Sequence, residues 1–242
     1  MTAEAVIFDK DGTLIDFDDF WVTVSISAIK DVLKRIKRED IPLDELLNSI
    51  GVKNGITDID GVLCKGTYEQ IGIAIYDVLK SYGCDVSPEN TVKMVIDAYN
   101  DNADAGEIKP TCDNLSETLL KLKKSGKKLI VVTTDNYEIT HKCLEALKIE
   151  NYFERIYTDD GKTPVKPNPE CVFKICEEMG ISKDKIIMVG DTMTDVKFAR
   201  NAGISVVGVV KSENNRLRLG EFADYVITDV SKIFDVIEEA KK

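Results

Sequence analysis

The stretch that decides the fold is Ala5-Val6-Ile7-Phe8-Asp9-Lys10-Asp11-Gly12-Thr13. Its first four residues form a continuous apolar run, the pattern of a parallel strand buried on both faces. Acids and a glycine follow at once, so the strand ends in a turn. Residues two apart on extended backbone point the same way, which aims the Asp9 and Asp11 carboxylates at one site. Two such groups are not both comfortable as anions unless a cation joins them or one keeps a proton. That pairing suits a metal ion plus an acid–base group. The bland alternative is an Asx turn closing a strand.

Further β-branched runs occur at Leu129–Thr133, Lys185–Val189, Ser205–Val209 and Tyr225–Thr228, with a weaker one at Arg155–Thr158. Helical segments separate them. Asn168-Pro169-Glu170 predicts a helix start and Gly180 its stop, while Gly126 and Gly203 end helices over Asp113–Ser125 and from near Thr192. The alternation predicts an α/β fold with a Rossmann-like, doubly wound parallel sheet. In such sheets ligands bind at the carboxyl ends of the strands.

Residues 16–108 break this rhythm, and no strand is expected there. Ile71, Ile75, Val78, Leu79 and Tyr82 recur at helical spacing, as do Val92, Val95, Ile96 and Tyr99. Phe20–Ile36 both alternates and steps helically, and its length favours a helix. These features predict an inserted α-helical domain over 16–108, hinged at Asp16–Asp19 and Gly106–Pro110, between core segments 1–15 and 109–242. Asp16, Asp18 and Asp19 read as caps of the next helix. Asp58-Ile59-Asp60-Gly61 repeats the acidic letters without a preceding strand, and reads as a turn.

Composition narrows the function. Of 242 residues, 43% are hydrophobic, ample for a core, and the net charge of −11 repels nucleic acid and anionic membranes at long range. No apolar run reaches membrane-spanning length. The opening MTAEAVIFDKDG lacks a basic leader, so a cytoplasmic protein is expected, as a monomer or homodimer. Six scattered cysteines without a C-x-x-C pair read as reduced thiols, and His141 is the sole histidine. An anionic ligand therefore needs local lysine, backbone N–H groups or a metal.

Three more strand ends carry candidates. Thr133-Thr134-Asp135 offers hydroxyls and N–H groups for a phosphate where a helix begins. Val165-Lys166-Pro167-Asn168-Pro169 is stiffened by its prolines and presents Lys166 as a fixed charge, against the default of a solvated lysine. Gly190-Asp191-Thr192-Met193-Thr194-Asp195 places two acids four apart, which fits oxygen coordination of Mg²⁺.

In this order, Asp9-x-Asp11-Gly12-Thr13, Thr133, Lys166-Pro167 and Gly190-Asp191-x-x-x-Asp195 resemble the four motifs of the haloacid dehalogenase (HAD) superfamily. The likeness is closest to the phosphoglycolate phosphatase and β-phosphoglucomutase branch, with a helical cap between the first two motifs. The spacing agrees, since 124 residues separate Asp9 from Thr133 and 33 separate Thr133 from Lys166. Thr134 stands where that branch often has Asn.

The resemblance implies a Mg²⁺-dependent phosphatase acting on a small-molecule phosphate ester. Asp9 would be the nucleophile and Asp11 the acid–base group. Thr133 and Lys166 would stabilise the phosphoryl oxygens, with Gly12, Thr13, Thr134 and Asp135 binding substrate. Asp9, Asp11 through its carbonyl, Asp191 and Asp195 would make up the metal centre. Asp11 separates the chain from true haloacid dehalogenases, which lack this second acid. The alternatives are a phosphomutase and a catalytically silent binding protein. Inside the insertion, Trp21, Lys53 and Lys65 are candidate substrate contacts, set against core packing for the tryptophan and idle solvation for the lysines.

Overall fold

The computed structural model describes residues 3–58, 61–210 and 219–239. The chain divides into two compact units, Met1–Asp16 with Lys109–Lys242, and Phe17–Ile108.

Six parallel strands build the first unit: β1 (Ala5–Phe8), then beyond the insertion β4 (Lys128–Asn136), β5 (Arg155–Asp159), β6 (Ile186–Gly190), β7 (Ser205–Val209) and β8 (Tyr225–Ile227). Their spatial order is β5-β4-β1-β6-β7-β8. The chain thus winds outward from β1 in one direction, returns, and winds out in the other. The switch point falls between β1 and β6, whose carboxyl ends are level because Phe8 is in register with Val189. Every residue of β1 is buried, as the continuous apolar run requires.

Ala5 and Ile7 share one face with Ile130, Met188 and Val206, packed under α8 (Glu170–Met179) and α9 (Met193–Ala202). The other parity faces the opposite way: Phe8 meets Phe153 edge to face. On the sheet's helical flanks, α6 (Leu115–Lys124) and α7 (Tyr137–Ala146) both pack against β4. Gly180 and Gly203 end α8 and α9 in the left-handed conformation that glycine adopts without strain. Asn168 accepts the Glu170 N–H, while Pro169 takes the cap position one residue before the first turn. The chain leaves this unit and returns to it side by side, with the Asp16 N–H donating to the Lys109 carbonyl and Thr111 N–H to Leu14.

The second unit holds α1 (Phe17–Arg35), α2 (Leu43–Ser49), α3 (Val62–Lys65), α4 (Tyr68–Ser81) and α5 (Pro88–Asp101). Helical spacing thus prevails over alternation in α1. Gly72 lets α4 and α5 meet closely, since a Cβ there would lie 2.7 Å from Val92 Cα. Trp21 is 5% exposed and packs among Phe17, Phe20, Tyr68 and Tyr99. Tyr99, fully buried, donates to Ser25 Oγ at 2.9 Å.

One expectation is corrected. A two-stranded hairpin, β2 (Val52–Lys53) with β3 (Ile56–Thr57), lies where no strand was expected. Its turn is Asn54-Gly55, both at positive φ, the conformation that matches hairpin twist. The Asn-Gly pair was the available signal. Asp16 stands directly before α1, and the side chains of Asp18 and Asp19 lie outside the described residues. Asp58 begins a turn closed by the Gly61 N–H on its carbonyl, with Ile59 and Asp60 outside the described residues.

Candidate functional site

The site begins at the tip of β1. The Asp9 N–H continues the ladder onto the Val189 carbonyl, which seats Asp9 beside Gly190 at the switch point. The chain then turns tightly: the Leu14 and Ile15 N–H groups both donate to the Lys10 carbonyl. Gly12 makes the turn at φ +76°, and a Cβ there would lie 2.0 Å from Asp191 Oδ2. Across the site, a Cβ on Gly190 would lie 2.3 Å from Asp195 Cγ. The two glycines therefore serve packing as well as turning. Each makes room for an acid of the fourth motif.

Lys166 comes from the loop before α8. That loop is pinned by the Asn168 N–H on the Val165 carbonyl and by Asn201 donating to the Pro167 carbonyl. Its side chain is 3% exposed, not solvated, and Nζ donates to Asp9 Oδ1 at 2.5 Å and to Asp195 Oδ1 at 2.7 Å. The other Asp195 oxygen accepts both the N–H and the hydroxyl of Thr192. Asp195 is thus fully engaged in holding Lys166 and the start of α9.

Asp9, Asp191 and Asp195 bring one carboxylate oxygen each within 4.8 Å of one another. Three acids, Asp9 and Asp195 buried and Asp191 half-buried, crowd around the Lys166 ammonium. Burial, with the charges of Asp195 and Asp11 adding, pushes the Asp9 carboxyl up to about 7 from 3.8, although Lys166 pulls it down. Such a cluster has the donor chemistry of a hard divalent cation: oxygen only, crowded, and short of positive charge. The residues present fit Mg²⁺.

The remaining candidates divide. Thr133 is buried, and its hydroxyl accepts the Asp135 N–H at 3.1 Å. Thr134 is half-buried. Thr13 is buried, and among the described residues its hydroxyl has no hydrogen-bond partner. The Asp11 carboxylate stands outside the acidic trio and takes a 2.6 Å bond from Lys10 Nζ. Asp135 turns its carboxylate toward Lys10 at 3.0 Å. Lys10, fully buried, is a residue that the motif pattern did not single out. In the second unit Lys53 and Lys65 are exposed and Trp21 is core. His141, on α7, pairs with Glu150 and stacks on Tyr137, and all six cysteines are free thiols.

A parallel sheet of this order, with a lysine-braced acidic centre at its switch point and a helical insertion after β1, defines an α/β enzyme class. Residues 6–209 match the haloacid dehalogenase-like hydrolase family, and the chain belongs to it. It is 27% identical over 240 residues to the pyrophosphatase PpaX of Halalkalibacterium halodurans, covering 98% of both chains. Over 210 residues it is 27% identical to a phosphoglycolate phosphatase of Pseudomonas putida, covering 87% of this chain and 70% of that one. A HAD-superfamily hydrolase of subfamily IA from Geobacter sulfurreducens shares the fold, with a TM-score of 0.67 at 19% identity over 98% and 97% of the two chains. No described helix is long and apolar enough to cross a membrane.

Proposed function

We propose that the protein is a Mg²⁺-dependent phosphatase that hydrolyses a small phosphorylated metabolite through a covalent phosphoryl intermediate on Asp9. The observation that carries this reading is the buried Lys166 ammonium bonded to both Asp9 and Asp195 within the acidic trio. A carboxylate so placed is held in one rotamer at the strand tip, facing the site as a nucleophile must.

In the first half-reaction an Asp9 oxygen bonds to phosphorus while the bond to the leaving oxygen breaks, and Asp11 gives that oxygen its proton. In the second, Asp11 takes a proton from the water that attacks the same phosphorus, which returns Asp9 as a carboxylate. Lys166, bonded to Asp9, and Thr133, buried on β4 two residues beyond the partner of Phe8, would offset charge on the phosphoryl oxygens. Asp195 keeps Lys166 in place. Asp9, the Asp11 carbonyl and Asp191 would hold the metal, with Asp195 completing the acidic cluster. When bound, that ion supplies positive charge against repulsion between nucleophile and phosphoryl group.

The named relatives support phosphoglycolate and pyrophosphate as the substrates to screen, and the resemblance of the motifs adds sugar phosphates. The test is Mg²⁺-dependent phosphate release from these and from p-nitrophenyl phosphate. Borohydride reduction of enzyme quenched during turnover converts an acyl phosphate to homoserine, and peptide mapping should place it at position 9. Homoserine elsewhere, or full turnover by Asp9→Asn, would end the assignment. A sugar phosphate that isomerises without net phosphate release would make the enzyme a mutase instead.

A further inference from the structure

Lys10 lies between the two acids of the strand tip, and the mechanism above gives it nothing to do. Its side chain is fully buried, a costly place for an ammonium unless carboxylates hold it. Two do: Nζ donates to Asp11 Oδ1 at 2.6 Å and lies 3.0 Å from Asp135 Oδ2. Asp135 sits near the end of β4, buried, and its other oxygen accepts the Asn136 N–H at 2.8 Å. It is an anchored counter-charge. The centre therefore has two lysine braces, Lys166 on Asp9 and Lys10 on Asp11, each tied to a further buried aspartate.

We propose that Lys10 is a positioning residue, whose ammonium, anchored on Asp135, holds the Asp11 carboxylate where it can exchange a proton with the leaving oxygen and the attacking water. This rests on the reading of Asp11 as the acid–base group. Asp135 then belongs to the support of the site rather than to substrate contact.

A brace on Asp11 and a pair that merely compensates buried charge predict different kinetics. As the Asp9 oxygen bonds to phosphorus, the electron pair of the breaking bond stays on the leaving oxygen. A p-nitrophenolate carries that charge away unaided, whereas a phenolate of almost the same shape depends far more on the Asp11 proton. Misplacing Asp11 should slow phenyl phosphate and largely spare p-nitrophenyl phosphate. A general loss of structure slows both alike.

The measurement is kcat/KM for both esters, which reports the steps through phosphorylation of Asp9. Lys10→Met alone strands a buried Asp135 anion, so the main variant is Lys10→Met/Asp135→Asn, which removes both charges together. Asp135→Asn alone, which keeps the ammonium and loosens its anchor, is the second. Asp11→Asn is the reference, and circular dichroism checks each fold. Asp11→Asn should raise the nitrophenyl-to-phenyl ratio by about 10²-fold, the double variant by about tenfold and Asp135→Asn by less. If Asp11→Asn raises the ratio while the double variant lowers both esters equally, Lys10 is structural and the proposal falls. If Asp11→Asn leaves the ratio unchanged, the acid–base reading of Asp11 falls and takes the proposal with it.

Discussion

Replacing Lys166 with methionine puts the electrostatics of the centre to a quantitative test. The ammonium lies 2.5 Å from Asp9 and 2.7 Å from Asp195, and none of the three side chains is more than 10% exposed. Methionine keeps much of the apolar stem and removes the charge. Leaving buried carboxylates without their cation costs about 3–5 kcal/mol. For a chain of this size each kcal/mol is about 2–4 °C, so the metal-free variant should melt about 6–20 °C below the parent at pH 8.

The gap must also depend on pH, with a definite sign. In the parent, burial already raises Asp9 to about 7 from 3.8, so the folded protein holds a proton that the unfolded chain has released. The stability this gives is present below about 3.8 and lost as pH rises through about 7. Lys166 pulls the Asp9 carboxyl down, so removing it extends that window upward. The gap should therefore narrow from pH 8 to pH 5, as protonation of the stranded carboxyls relieves the repulsion. Calorimetric melts in chelator at both pH values read this directly. A variant that melts with the parent at pH 8, or a gap equally wide at both, would refute the reasoning.

Other consequences follow from the same geometry. Mg²⁺ added to metal-free protein should raise the melting temperature more at pH 8 than at pH 5, because protons compete for Asp9; an equal shift at both would contradict Asp9 as a metal ligand. Gly12→Ala places a Cβ 2.0 Å from Asp191 Oδ2 at φ +76°, so Asp191 must move. Isothermal titration should show Mg²⁺ affinity falling about 10- to 100-fold, on the scale of displaced metal-site support, and unchanged affinity would show that Asp191 is not needed. Lys166→Met should lower kcat by about 10²–10³-fold if the ammonium stabilises phosphoryl charge, measured at saturating p-nitrophenyl phosphate. Tyr99→Phe strands the buried Ser25 hydroxyl and should cost about 1–3 kcal/mol by thermal melt; no loss would mean that the bond contributes nothing net.

Several parts of the site are legible in the amino-acid sequence because they depend on short-range pattern. Asp9 follows an apolar run, Gly190-Asp191 follows another, and a strand ends where its apolar run ends. The helices of the insertion are legible for the same reason, since Ile71, Ile75 and Leu79 recur at one helical period and all three are buried. The two-residue strands at Val52–Lys53 and Ile56–Thr57 escape such a reading because their segments are too short for alternation to register, although Asn54-Gly55 marks the turn. Lys10 escapes it for another reason. A lysine flanked by acids reads as solvated until its long-range partner is known, and Asp135 lies 125 positions away.

What the amino-acid order determined alone was the succession of strands and helices, the place of the insertion, and the strand ends at which acids, threonines and a lysine stand. Periodicity and capping act over a few residues, so they are written locally. Only the tertiary structure decided that β1 and β6 are neighbours, that Lys166 bonds to Asp9 rather than to water, and that Gly12 and Gly190 make room for the facing acids. Those outcomes rest on which strand edges, side chains and buried charges meet across the sheet, and pairing between distant segments leaves no periodic trace in the chain.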